Sequence, residues 1–342
     1  MSLDAVRCLQ LEMQTSLMRH IINTISAPHD IDGSLKTIIL ELKNAFEYDA
    51  VGIRLQKDDD FPYFASDGFS RQFLATENSL VALNSLGCPA RDDNGQILLE
   101  CSCGLVLSGK LDPADPLASQ GGSIWTNNSA DILKGRNSKS PGLNPRNVCV
   151  HEGYNSLALV PVCDGLRVVG VLQLNDKKKD RFTPEIIKFF EDIGRLLGIL
   201  LHAKYENEQY RNLFQNTKSA ILLADAQTGI IVDANKQAEA LFGLTRTELI
   251  GMNRINLHPQ EKRQFYMEQF AEHADEKGAR FVEGVIIKKD GTKVPVSIAA
   301  SVFVINGKRK IQGIFQDLTE IMKLEKEKER KKGDLSVPQF VK

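Results

Sequence analysis

Between residues 155 and 201 the chain runs through two apolar, β-branched stretches and one long amphipathic helix. Residues 155–162 (NSLALVPV) and 167–175 (RVVGVLQLN) flank Asp164-Gly165, a dipeptide suited to a tight hairpin because glycine accepts positive φ. Shortly afterwards Thr183-Pro184-Glu185 opens a helix, with Thr183 as N-cap and Pro184 at the first helical position, where its missing N–H costs nothing. Ile186, Phe189, Phe190, Ile193, Leu197, Leu200 and Leu201 give that helix a wide apolar face. A hairpin followed by such a helix buries sheet against helix. The expected class is α+β with antiparallel sheet.

The same grammar recurs on both sides. Residues 6–26 carry Leu9, Met13, Leu17, Ile21 and Ile22 on one helical stripe, a second helix is expected over 34–46, and a strand over 49–55. Residues 84–147, rich in Gly, Pro, Asn, Asp and Ser, read as ordered loop with short elements. From Ser219 a second α/β pattern begins, with strands over 220–224 and 230–233, helices over 235–242 and 246–250, and, after residues 260–272, strands over 279–288, 294–304 and 310–316. Its hairpin turns are Asp290-Gly291 and Asn306-Gly307. Residues 320–332 form a charged helix. A chain of 342 residues suits two domains, and the expected architecture is two antiparallel-sheet domains joined by the long helix. The first half of that helix should pack on its own sheet, the second half on a second copy of the chain.

Composition narrows the function. A net charge of −1 gives no general electrostatic case for nucleic acid or anionic membrane. No run of about 18 apolar residues exists to span a bilayer. The N-terminal MSLDAVRCLQLEMQ lacks an apolar stretch behind a basic start, so a cytoplasmic location is expected, where thiols are normally reduced.

Three segments carry a family resemblance in the first half: residues 153–162 (GYNSLALVPV), 170–175 (GVLQLN) and 182–185 (FTPE). Residues 34–203 resemble a GAF domain. In the second half the segments are 210–214 (YRNLF), 231–235 (IVDAN), 240–243 (ALFG), 248–251 (ELIG), 289–292 (KDGT) and 313–319 (GIFQDLT), and residues 204–320 resemble a PAS domain. Residues 1–33 are then an N-terminal signalling helix and 321–342 a charged helix and tail. Both families imply an antiparallel sheet backed by helices, a ligand cleft between them, and a place upstream of a signalling output. More narrowly, Cys101-Ser102-Cys103-Gly104, the stretch 122–127 (GSIWTN) and Cys149 before Gly153-Tyr154 resemble a subgroup of bacterial sensor histidine kinases.

The cysteines are the most pointed chemical signal. Cys101, Cys103, Cys149 and His151 supply three thiols and an imidazole, enough for a tetrahedral zinc site if each C-x-C/H pair shares one face of a strand or chelates from a turn. With Cys88 in place of His151, the set would suit zinc or an iron–sulfur cluster. Reversible thiol oxidation is a second reading, and simple burial of small apolar side chains a third. Asn175-Asp176-Lys177 and Ile186-Ile187 depart from the cyclic-nucleotide pattern of GAF domains, and Cys149 lacks the context of a bilin cysteine. In the PAS half, Phe242, Leu257, Phe265, Phe281 and Ile298 are the candidate pocket residues, although such a list is also ordinary core. His258 could ligate haem if it faced the cleft. Residues 320–342 are too few for a kinase, cyclase or phosphodiesterase, and no phosphate-binding loop or nucleophile elbow appears. The chain is expected to be a non-enzymatic sensory relay. It would act as a homodimer, with a histidine kinase or response regulator as partner, or serve as a ligand-free scaffold. Asp317 and Thr319 are expected to fix the exit from the last PAS strand by local bonds.

Overall fold

The computed structural model describes residues 3–27, 30–135, 146–268, 280–305 and 307–334, and divides into two units, Met1–Asn207 and Glu208–Lys342. In the first unit, α1 (Leu3–Ser26) and α2 (Ile31–Phe46) precede β1 (Ala50–Leu55), β2 (Tyr63–Asp67) and α3 (Arg71–Glu77). Then come α4 (Cys101–Ser108), β3 (Ile124–Thr126), α5 (Ala130–Gly135), α6 (Val148–His151), β4 (Ser156–Asp164), β5 (Arg167–Asp176) and most of α7 (Pro184–Asn216), whose last residues belong to the second unit. The sheet is antiparallel with order β2-β1-β5-β4-β3.

Strand alternation sorts this sheet into two faces. Val51, Ile53, Val160, Val162, Leu172 and Leu174 point to one, where Leu35, Ile38 and Leu42 of α2 and Phe190, Ile193 and Leu197 of α7 complete an apolar core. Leu157, Leu159 and Val171 point to the other, where Cys103, Val106 and Leu107 of α4 cover them. Thr183 caps α7 as its sequence predicts, its hydroxyl accepting from the Ile186 N–H at 3.3 Å.

Two glycines decide how close α7 comes. A Cβ on Gly194 would lie 2.3 Å from the Pro161 carbonyl oxygen, and one on Gly198 would lie 1.9 Å from that of Cys163. The helix backbone therefore rests directly on β4, where the β4–β5 register shifts between Val162 and Cys163.

In the second unit, β6 (Ala220–Asp225) and β7 (Ile231–Ala234) are followed by α8 (Lys236–Phe242) and α9 (Arg246–Leu249). Two 3₁₀ turns and helical residues 263–268 (α10) lead to β8 (Arg280–Ile287), β9 (Lys293–Ile305), β10 (Lys308–Asp317) and α11 (Thr319–Asp334). The strand order is β7-β6-β10-β9-β8, again antiparallel. Asn235 starts α8 by accepting from the Ala238 N–H, and it also joins Phe214, Ser219 and Ile221 through their backbones, all within 3.0 Å. One buried amide thus sets the entry to both the sheet and its first helix. Residues 269–279 lie outside the described residues.

The Gly198→Ala variant tests the α7 contact. Alanine favours a helix by about 1 kcal/mol over glycine, but overpacking against a backbone carbonyl costs more. Thermal unfolding should show a net loss of about 2 kcal/mol in the first unit; a neutral or stabilising result would show that α7 is not seated on β4.

Candidate functional site

The face of the first sheet that α4 covers is not wholly apolar. Arg54 of β1, Tyr63 of β2, and Gln173 and Asn175 of β5 share it, as their registers require. Arg54 is fully buried and its guanidinium donates to the carbonyls of Phe61 (2.9 Å), Asn78 (3.3 Å) and Glu77. It also lies 3.7 Å from the centre of the Tyr63 ring. The Tyr63 hydroxyl donates to Gln173 Oε1 at 2.6 Å, which fixes the amide's orientation. Gln173 Nε2 then donates to Asn175 Oδ1 at 3.2 Å and to Cys149 Sγ at 3.3 Å, while Cys103 Sγ sits 3.9 Å from Gln173 Oε1. A chain of polar groups runs from a buried cation to two thiols. Sequence reading missed Arg54, Tyr63 and Gln173. Arg54 interrupting the apolar run 50–55 and Gln173 interrupting 170–174 were the available signals.

Burial holds both thiols protonated at neutral pH. It pushes Cys149 up to about 12 and Cys103 well above the ordinary thiol value, outweighing the lowering effect of Arg54. Cys101 is close enough to influence both. Cys101 has φ 65°, the left-handed region that a non-glycine residue occupies at a cost of order 1 kcal/mol. Gly104 completes the motif because a Cβ there would lie 2.6 Å from the Leu99 carbonyl oxygen.

The structure brings Cys101, Cys103 and Cys149 to one region and leaves His151 exposed. The expected C-x-C/H geometry assumed strands or turns, but both pairs lie on helices, where residues two apart diverge. Cys101 and Cys103 are both buried, as are Ser102 and Gly104, so the start of α4 is covered all round. Among the described residues no group of three or more His, Cys, Asp and Glu is arranged to hold a metal ion, and Cys88 is exposed on its own loop.

The stretch 122–127 acts elsewhere. Ser119 and Ser123 both donate their hydroxyls to Glu191 Oε1 on α7, the second at 2.7 Å. Asn127 donates to the Phe182 carbonyl at 2.8 Å and accepts from the Phe182 N–H at 2.9 Å. Gly121 is pressed on Glu191, with Oε2 only 2.0 Å from where a Cβ would stand. This loop is clamped to the first half of α7.

In the second unit, Phe242, Leu257 and Ile298 join one buried core, and Ile298 also lines a cavity of about 30 Å³ with Leu222, Arg254, His258 and Phe315. That volume holds one or two waters and falls about tenfold short of an organic cofactor site such as haem. Phe265 is exposed, because its neighbour Tyr266 takes the inward position on α10. The side chain of Phe281 lies outside the described residues. His258 is buried, stacks on Tyr266 with ring centres 3.8 Å apart, and donates Nδ1–H to the Val285 carbonyl at 3.0 Å.

Two measurements check these assignments. Raising a thiol from 9.0 to about 12 lowers its thiolate fraction about a thousandfold, partly offset by the greater nucleophilicity of a more basic thiolate. Iodoacetamide at neutral pH should therefore modify Cys149 roughly 30-fold or more slowly than exposed Cys88, read by mass spectrometry. For His258, burial lowers the pKa to about 4, with Arg254 and Arg263 adding to the effect and the Val285 hydrogen bond opposing it. The unfolded chain takes up this proton first as pH falls, so the contribution is fully present above the ordinary value of 6.5. About 3 kcal/mol should be lost between pH 6.5 and pH 4, and a His258→Phe protein should lack that slope in chemical denaturation.

Comparison with known proteins agrees with this architecture. The GAF domain family model matches residues 30–201, half of the chain, and the PAS domain model PAS_9 matches 218–320. A methyl sulfide methyltransferase-associated sensor from Methanosarcina acetivorans is 23% identical over 168 residues, 47% of this chain, and the match spans 17% of that relative's length. Among solved structures, the GAF domain of an Acinetobacter phosphoenolpyruvate-protein phosphotransferase is 20% identical over 56% of this chain and 95% of its own, with a TM-score of 0.38. The PAS domain of an HTR-like protein from Haloarcula marismortui is 20% identical over 34% of this chain and 95% of its own, with a TM-score of 0.32. The chain belongs to the GAF domain family, and a PAS domain follows its GAF domain.

Proposed function

We propose that this protein is a signal-sensing relay whose GAF half takes its input at the buried thiols and passes it along α7. GAF and PAS sensor domains, and a relative that is itself named a sensor, support the broad role. The observation that carries the finer reading is the polar chain Arg54–Tyr63–Gln173–Cys149 on an otherwise apolar sheet face. Both thiols are protonated at rest, so the input is a species that displaces a thiol proton: a soft metal ion or an oxidant. A bound metal ion changes the charge beside Gln173, whereas oxidation to a neutral disulfide, with two protons and two electrons leaving to the oxidant, removes the thiol partners of the Gln173 amide; β5 carries either change through the same sheet against which α7 packs. Cys101, Cys103 and Cys149 are the residues engaged; with a metal ion, the α6 segment would have to move for His151 to complete the ligand set.

Downstream, the relay acts in the cytoplasm as a homodimer on a histidine kinase or response regulator. Helix pairing is favoured by exposed apolar side chains on the far part of α7 (Tyr210, Leu213) and on α11 (Ile321, Met322, Leu324). Asp317 accepts from the Thr319 N–H at 2.8 Å and so sets the start of α11. Glu191 holds the loop 119–123 to α7 and is the positioning residue for the relay.

The test is anaerobic purification followed by metal analysis by mass spectrometry and an absorption spectrum. Zinc and then peroxide are added, and amide hydrogen exchange is followed over residues 184–216. In the wild type, one of the two additions should change α7 exchange severalfold; in Cys101→Ser/Cys149→Ser the response should vanish, and in Glu191→Gln it should weaken while the thiol modification itself persists. An identical α7 response in the double cysteine variant, or none in the wild type, would overturn the thiol input.

A further inference from the structure

The face covered by α4 has a second feature, away from the thiols. Where α4 ends at Ser108, the loop through residues 109–122 stands off the sheet and leaves a cavity of about 300 Å³ above the end of the β4–β5 hairpin. Val106, Leu111, Pro161 and Val168 supply apolar wall, and Ser119, Gln120 and Cys163 supply polar atoms. Among the described residues, no lysine, arginine, aspartate or glutamate lines it. Its size lies at the lower end of sites that hold small organic molecules, and a mainly apolar wall with a few polar atoms is the usual composition of such sites.

Two details argue that the space is kept open by the fold. The loop cannot slump inward, because Ser119 and Ser123 tie it to Glu191. Gly122, with φ 87°, turns the chain away, and its missing side chain leaves open a position where a Cβ would find only Pro161, at 3.8 Å. A guest that covers the apolar part of this wall removes it from water and gains contacts with it.

We propose that this cavity is a binding site for a small, uncharged, mainly apolar molecule about the size of one or two aromatic rings, separate from the thiol input. A charged guest is disfavoured, because the wall offers neutral polar groups on Ser119 and Gln120 but, among the described residues, no charged side chain to pair with it. The guest lies against the Cys163 thiol, a half-buried group that serves as a local reporter.

The experiment uses the full chain carrying Cys8→Ser and Cys88→Ser, with indole as the probe and benzoate as the charged control. Alkylation of Cys163 by N-ethylmaleimide is followed by mass spectrometry. At free indole about twice its Kd, the rate at Cys163 should fall about threefold, the rate at Cys149 should not change, and benzoate should have no effect. Ala118→Phe, which places a ring in the cavity from its wall, should slow Cys163 alkylation without probe and abolish the response to indole. Ala118→Leu should reduce the response and serves if the larger variant does not fold. No protection by indole at its solubility limit, equal protection by benzoate, or protection that survives both substitutions would overturn the site. Because Cys163 is distant in sequence from Cys101, Cys103 and Cys149 and is read separately, failure here leaves the thiol input standing, and failure of the thiol input leaves this site standing.

Discussion

The β4–β5 pair is buried on both faces, and most of the GAF half is arranged by what that requires. Two strands with hardly any solvent-exposed surface must be covered twice, once by α2 and α7 and once by α4 with its loops. The cover on the helical side is unusually close, since Gly194 and Gly198 let the α7 backbone touch β4 carbonyl oxygens. A helix seated on backbone has little freedom to slide without moving the strand beneath it. In the proposed relay, this contact is what would couple a displacement of β4 or β5 to α7.

The opposite face carries a cost that its neighbours offset. Arg54 is a full charge out of contact with solvent, and such burial is tolerable only because three backbone carbonyls and the face of Tyr63 replace its hydration. A structural role for Arg54 follows directly: it ties β1 to residues 61 and 77–78. Its second consequence is electrostatic. The cation draws the thiols toward ionisation while burial opposes this, and burial prevails. The result is a set of quiet thiols in reach of a positive charge, stable until something replaces their protons.

The loop 119–127 links the two faces. Its serines and Asn127 bond to α7 and to the residue at its entrance, and its glycines pass beneath the cavity at the hairpin end. A motif that reads in the sequence as a companion of the cysteines is in fact a mechanical tie. Cys101 and Cys103 lie at the start of α4, and the cavity lies at its end.

Much of this was determined by local sequence. The hairpin at Asp164-Gly165, the Thr183-Pro184 helix start, and the Asn235 and Gly243 boundaries of α8 depend on neighbours a few residues away, and they stand where their residues place them. The chemistry of the cysteine set did not follow in the same way. Whether Cys101 and Cys103 share a face depends on whether their segment forms strand or helix, and it forms helix α4. The left-handed turn at Cys101, the exposure of His151 and the outward turn of Phe265 each follow from packing by distant segments. Tyr63 and Gln173 lie far apart in the chain, and only the sheet register brings their side chains within 2.6 Å. Local periodicity and capping fixed the elements, because their energies are short-ranged; the site was decided by contacts between residues the sequence keeps apart.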